Sequence, residues 1–131
     1  MRYAVALVVA VVVLVPVRSE EVTPKNLAGT WTRTVEGRTI KFDIKEKGLT
    51  VTLVDGNTSV EAEAEYAITK DGVLFGIITK VKKTGTDGGP TEGELFSFKP
   101  AVEKGKLTIS DLNGTKINDG ARKLVEGEYS K

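Results

Sequence analysis

The chain has 131 residues, of which 19 are basic and 18 are acidic, and it contains neither Cys nor His. Without these residues, disulfide bonds, thiolate nucleophiles, the usual zinc sites and Ser-His-Asp triads are all excluded. The near balance of charge gives no electrostatic reason to expect a nucleic acid or an acidic membrane surface as partner.

The first residues have the composition of an export signal. Arg2 gives the start a positive charge, and residues 3–15 are apolar without a break. That length suits the core of a signal peptide and is short for a membrane span. Pro16 ends the run, and Ser19 offers a small residue for cleavage. We therefore predict a signal peptide over residues 1–19, with an uncleaved anchor as the alternative.

Cleavage after Ser19 would leave one domain. Counting from Glu20 removes Arg2 and Arg18, so 17 basic residues face 18 acidic ones. About 112 residues remain, enough for a domain that buries about two thirds of its unfolded surface. We predict a single domain over residues 20–131, exported to the periplasm or the extracellular space. No stable membrane insertion is expected after cleavage, and no nucleic acid partner.

The remainder of the chain shows the period-two alternation of half-buried strands. In the clearest run, residues 60–65, apolar residues alternate with three glutamates, which a strand would place together on one solvated face. Pairs such as Glu36-Gly37 and Lys104-Gly105 separate the runs and favour antiparallel hairpins. No segment shows a helical period. Eight strands are predicted, over residues 29–36, 38–46, 49–55, 58–70, 73–83, 93–100, 106–112 and 122–130.

Eight consecutive antiparallel strands must protect two sheet edges. Closing the sheet into a barrel removes both edges, and the short connections between strands favour this arrangement. The predicted fold is therefore all-β, an antiparallel up-and-down eight-stranded barrel. A two-sheet β-sandwich is the alternative.

A short motif lies at the first predicted strand. Gly29 and Trp31, the chain's only Trp, match the Gly-x-Trp opening of lipocalins and related calycin barrels. With the strand number, the hairpin order and the predicted export, the chain resembles the small exported lipocalin-like proteins of bacteria. The resemblance implies that Trp31 closes one end of the barrel. It also implies a basic residue packed over this Trp, for which Arg122 and Lys123 are the candidates.

Aromatic residues at inward positions are the candidate ligand site. The residues predicted to line a cavity or the core are Trp31, Phe42, Tyr66, Phe75, Phe96 and Phe98. Small residues at Ala62, Ala64 and Gly76 would leave room for a ligand. The alternative is that these side chains fill the barrel, since the interior of eight strands is just wide enough for side chains.

The other patterns predict no catalytic residue, no cofactor and no metal. The acidic turns at residues 111–114 and 118–120 miss the EF-hand spacing. The glycine-rich segment 85–90 lacks the Lys-Ser/Thr ending of a phosphate-binding loop and is predicted to be a hairpin loop at the barrel mouth. The three glutamates share a solvated face, with no second acid indicated opposite them as a glycosidase requires.

The predicted function is that of an exported, non-enzymatic lipocalin-like protein that binds a small hydrophobic ligand inside the barrel. The alternative is a structural or protein-interaction module of the cell envelope with a filled core and no ligand. The two differ in whether the interior of the barrel is hollow.

Overall fold

The structure is a computed structural model that describes residues 21–131, so the predicted signal peptide lies outside the described residues. The elements of this part are α1 (Pro24–Leu27), β1 (Gly29–Val35), β2 (Arg38–Ile44), β3 (Gly48–Asp55), β4 (Thr58–Ile68), β5 (Leu74–Thr84), β6 (Leu95–Glu103), β7 (Lys106–Gly114), α2 (Asp119–Val125) and β8 (Gly127–Ser130). Neither of these two helices has the length and apolar character needed to cross a membrane.

The strands of this part of the chain close into one barrel in sequential order, β1 to β8. Each strand pairs antiparallel with the next, and β8 pairs back with β1 through Thr32 and Ser130. The predicted all-β, up-and-down eight-stranded barrel is therefore confirmed, and the sandwich alternative is wrong. Closure removes the two free edges that a linear meander would expose.

The alternation predicted for the fourth strand is confirmed in β4. Ala62 and Ala64 are buried, whereas Glu61 and Glu63 are exposed. On the neighbouring strand, lysines are the register partners of these two glutamates. Opposite charges therefore face each other on the outer surface, an arrangement that stabilises adjacent strands.

The last predicted strand, residues 122–130, is wrong in its first half. Asp119–Val125 form α2, and the strand begins at Gly127. The side chain of Asn118 accepts a hydrogen bond from the backbone N–H of Ala121 at 2.9 Å, which is the arrangement of a helix N-cap. An acidic residue in the first turn and basic residues in the last favour the same helix.

The two ends of the barrel differ. Because the strands alternate in direction, α1 lies at the same end as the turns at 45–47, 69–73 and 104–105. The loops at 85–94 and 115–118 lie at the opposite end together with α2. We call these the α1 end and the α2 end.

Trp31 closes the α1 end. Its side chain is 1% exposed, and its indole N–H donates a hydrogen bond to the carbonyl of Leu27 in α1 at 2.8 Å. The ammonium of Lys131 lies 4.7 Å from the centre of the ring, within cation–π range. Gly29 is suited to its position because its φ is +135°, a conformation that other residues rarely adopt, and a Cβ there would also require the end of the Lys131 side chain to shift.

The basic residue over the Trp is therefore Lys131, and the prediction of Arg122 or Lys123 in this place is wrong. Arg122 lies in α2, where its Nε donates a hydrogen bond to the carbonyl of Leu112 at 2.9 Å. Lys123 is exposed on the same helix. Both residues were expected in the last strand, and the helix carries them away from the α1 end.

The seam between β8 and β1 is reinforced by side chains that reach α2. The hydroxyl of Tyr129 donates a hydrogen bond to the carbonyl of Val125 at 2.7 Å. From β1, Nε of Arg33 donates to the carbonyl of Leu124 at 3.3 Å. The end of α2 is thus tied to both strands that close the barrel.

Candidate ligand-binding cavity

The interior of the barrel contains a cavity of about 460 Å³. This volume lies within the range of small-molecule sites, about 300–1,000 Å³. The cavity extends from inward-facing strand residues to the loops and helix at the α2 end. Ala62 and Ala64 on β4 line the cavity, and their small side chains leave space that larger residues would occupy.

An aromatic cluster bounds the cavity towards the α1 end. Phe42 and Phe98 line it, and their ring centres are 5.8 Å apart at an interplanar angle of 65°. The ring of Tyr129 meets Phe42 edge-on, with the centres 5.4 Å apart. Such edge-to-face contacts are the favourable geometry for aromatic rings. Trp31, the register partner of Phe42 on β1, does not line the cavity.

The structure brings three of the six predicted site residues together. Phe42, Phe96 and Phe98 line the cavity, whereas Trp31 does not. Tyr66 is half-buried, and its hydroxyl donates a hydrogen bond to the carbonyl of Lys45 at 2.5 Å. The cavity is therefore bounded by part of the predicted set, and Trp31 and Tyr66 lie outside its lining.

Phe75 differs from the expectation, because it lies on the outside of the barrel and is 47% exposed. Its neighbours Leu74 and Gly76 are buried, and side chains alternate between the two faces of a strand. The residue between them must therefore point outward. A Cβ at Gly76 would lie 2.7 Å from Cζ of Phe96, so this glycine makes room for the ring that lines the cavity.

Helix α2 contributes an apolar surface that was not predicted from the sequence. Ala121, Leu124 and Val125 line the cavity, and their spacing of three and four residues places them on one helix face. The signal for this helix was the N-cap residue Asn118 together with that spacing. Pro90 and Ile117 from the two loops complete the lining around α2.

Polar side chains line the cavity at the α2 end, from Glu94, Lys116 and Asn118. In residues 21–131, Glu94 is the one charged residue that is buried, at 8% exposure. Its Oε2 accepts hydrogen bonds from the backbone N–H and the hydroxyl of Thr91, both at 2.6 Å. Lys116 is exposed. The cavity thus joins an apolar interior to a polar rim that contains a fixed carboxylate.

Glu94 lies at the point where β5 and β6 stop pairing with each other. β6 pairs with residues 74–77 of β5, whereas β4 pairs with β5 as far as Thr84. The loop between them then folds back onto Ile78. The N–H of Ile78 donates to the carbonyl of Glu94 at 2.9 Å, and the N–H of Gly93 donates to the carbonyl of Ile78 at 2.7 Å. These bonds hold Glu94 where the two strands separate.

Comparison with known proteins gives no match to a protein-family model, a curated protein or a solved structure. The class of the protein therefore follows from its architecture. It is a closed antiparallel barrel of eight strands in the described residues, which is compatible with a lipocalin-like fold.

Proposed function

We propose that the chain is an exported, non-enzymatic lipocalin-like protein that binds a small hydrophobic molecule inside its barrel. The observation that supports this proposal is the cavity of about 460 Å³ with apolar walls. Burial of apolar surface, at about 25 cal/mol per Å², would supply the binding free energy. The non-enzymatic part rests on the sequence, since Cys and His, the commonest nucleophilic and acid–base groups, do not occur in it.

The size of the cavity limits the ligand. Since a water molecule takes about 30 Å³ in the liquid, the cavity has room for roughly fifteen. A methylene group takes nearly as much room as a water molecule. The ligand class is therefore a molecule of roughly fifteen non-hydrogen atoms, such as a medium-length alkyl chain or a two-ring aromatic compound.

A neutral fluorescent probe tests ligand binding directly. N-phenylnaphthylamine should bind saturably with an increase in emission, and Ala62→Phe should weaken its binding by about tenfold or more, equivalent to about 1.4 kcal/mol. Ala62 lines the cavity and is 5% exposed, so the added ring would take up ligand volume. Fluorescence titration of both proteins gives the two dissociation constants.

The matched control is Ala67→Phe, which makes the same change on the outer face of the same strand, where Ala67 is exposed. This variant should bind the probe as the unmodified protein does. Equal affinity of the two variants, or the absence of saturable binding to the unmodified protein, would contradict the proposal. Circular dichroism establishes that each variant retains its strands.

One observation favours a second candidate, a protein-interaction module. Phe75, Ile77 and Leu95 are 47%, 41% and 59% exposed, and they adjoin on the outer surface where β5 pairs with β6. An exposed apolar patch of this kind is typical of interaction sites. Replacing Phe75 and Ile77 with Thr should leave probe binding unchanged under the ligand proposal, because neither residue lines the cavity.

Export is tested by the mass of the mature chain. If residues 1–19 are a cleaved signal peptide, secreted material should have the intact mass of a chain that begins near Glu20. The corresponding control is Ser19→Pro, which should block cleavage and retain the longer mass. A full-length mass in the membrane fraction of unmodified protein would instead indicate an uncleaved anchor.

A further inference from the structure

We propose that the ligand carries a protonated amine at one end and that the carboxylate of Glu94 binds this amine. The inference rests on the proposed function, because it assigns a chemical class to the molecule in the barrel. The observation behind it is a buried carboxylate that lines an otherwise apolar cavity.

Glu94 has one oxygen with partners and one without. Oε2 accepts both hydrogen bonds from Thr91. Within residues 21–131, Oε1 accepts no hydrogen bond, and Glu94 forms no salt bridge. A buried carboxylate is costly unless it is paired and hydrogen-bonded. A cationic group in the cavity would supply the missing partner.

The carboxylate is also held in place before a ligand arrives. Its Oε2 is fixed by Thr91, and its backbone carbonyl accepts a hydrogen bond from the N–H of Ile78, whose own carbonyl accepts one from the neighbouring Gly93. A group that is already ordered loses little conformational freedom on binding. An ammonium N–H would donate a charge-assisted hydrogen bond to Oε1, which is stronger than a bond between neutral groups.

Lys116 would favour an anionic ligand, but its contribution to binding is weaker than that of Glu94. It also lines the cavity at the α2 end, where it could attract an anionic group. However, Lys116 is exposed, and its ammonium is strongly hydrated on a flexible stem. Ion pairs in such surroundings contribute little. The buried and fixed carboxylate therefore decides which charge is preferred.

The two ends of the proposed ligand match the two parts of the cavity. Its apolar body would occupy the space beside Ala62 and Ala64 and above the rings of Phe42 and Phe98, all of which line the cavity. Its amine would lie at the α2 end next to Glu94. The ligand class is thus an alkyl or aryl amine whose charge lies at the end of an apolar body.

A series of three probes with the same dodecyl chain tests the inference on the unmodified protein. Dodecylammonium, dodecanol and dodecanoate differ in the charge of the head group. Each is used to displace N-phenylnaphthylamine at neutral pH and low salt, below the concentration at which it forms micelles or, for dodecanol, a separate phase. Dodecylammonium should bind about tenfold or more tightly than the other two.

Two glutamate variants then test whether Glu94 causes the preference for the ammonium head group. Glu94→Gln keeps a hydrogen-bonding side chain but removes the charge, so it should lower the affinity for dodecylammonium by about tenfold and leave that for dodecanol unchanged. Glu92→Gln is the matched control, because Glu92 is exposed in the same loop and does not line the cavity. It should change neither affinity.

The outcomes separate the two proposals. If all three probes bind equally, or dodecanoate binds most tightly, the amine inference is overturned while ligand binding stands. If dodecylammonium is preferred but Glu94→Gln keeps the preference, the assignment to Glu94 is overturned. If no probe displaces N-phenylnaphthylamine and that compound itself does not bind, both proposals are overturned. Because the probe series uses the unmodified protein, it gives a result even if a variant does not fold.

Discussion

Replacing Trp31 with Ala should lower the free energy of unfolding by about 3–5 kcal/mol, the range for emptying a large aromatic site in a core. The side chain is 1% exposed, and its hydrogen bond to the carbonyl of Leu27 joins α1 to the first strand. The substitution would also remove the ring against which Lys131 packs. For a domain with a total stability of about 5–15 kcal/mol, this is a large fraction.

Urea unfolding followed by far-ultraviolet circular dichroism measures the loss without relying on the Trp itself. Trp31→Phe is the control, since it keeps most of the apolar volume and removes the N–H donor. Trp31→Phe should lower the free energy of unfolding by less than Trp31→Ala does. About 1–3 kcal/mol is expected, because the carbonyl of Leu27 would be left without its hydrogen-bond partner. A loss below about 1 kcal/mol for Trp31→Ala, as is usual at the surface, would contradict closure of the barrel by this residue.

The emission of the unmodified protein provides an independent check, because Trp31 is the only Trp in the chain. A ring buried against Leu27 and Lys131 should emit at short wavelength and be poorly quenched by iodide. Emission typical of a Trp in water, with free quenching, would place the ring on the surface.

Alkaline pH should destabilise the protein through Tyr129. Burial raises the pKa of the Tyr129 phenol well above its ordinary value near 10, although the neighbouring Arg33 lowers it in part. Above pH 10 the unfolded chain releases this proton while the folded protein retains it. The contribution of Tyr129 to stability is therefore complete below pH 10 and is lost as the pH rises beyond that value, by about 1.4 kcal/mol per pH unit.

The Tyr129→Phe variant should be less stable than the unmodified protein at neutral pH and more stable than it at alkaline pH. Near pH 7 the variant should be less stable by about 1 kcal/mol, because it lacks the hydrogen bond to the carbonyl of Val125. About one and a half pH units above 10, the unmodified protein should have lost about 2 kcal/mol that the variant keeps. Urea unfolding across this pH range measures both. Parallel loss in the two proteins would assign the alkaline effect to other groups.

The alternation of apolar and polar residues was sufficient to predict the barrel. In β4 the inward alanines and outward glutamates leave one register that buries the apolar face, and a slip by one residue would reverse it. Helix α2 could not be found in this way, because its seven residues make only about two turns, too few for a helical period to be distinguished from an irregular segment. Its Asn118 N-cap also has the composition of a turn.

The cavity was predictable only in part. Its size depends on contacts between residues that are distant in the sequence. Examples are the contact of Gly76 with the ring of Phe96 and the packing of α2 against the cavity. Glu94 was predicted to lie in the sixth strand, over residues 93–100, whereas the strand begins at Leu95, and no local pattern indicated that the Glu94 carboxylate is buried. Likewise, the contact of Lys131 with Trp31 joins residues that are one hundred positions apart in the sequence, and no local pattern encodes it.

The short ladder between β5 and β6 has a consequence for kinetics. Because β6 pairs with residues 74–77 of β5 and the wall beyond them is completed by the loop bonds to Ile78, this part of the barrel can open by breaking few hydrogen bonds. Local openings of this kind require much less free energy than global unfolding. Such an opening would widen the cavity beside Glu94, which lines it. The residence time of a bound molecule would then depend on this seam rather than on unfolding of the whole barrel.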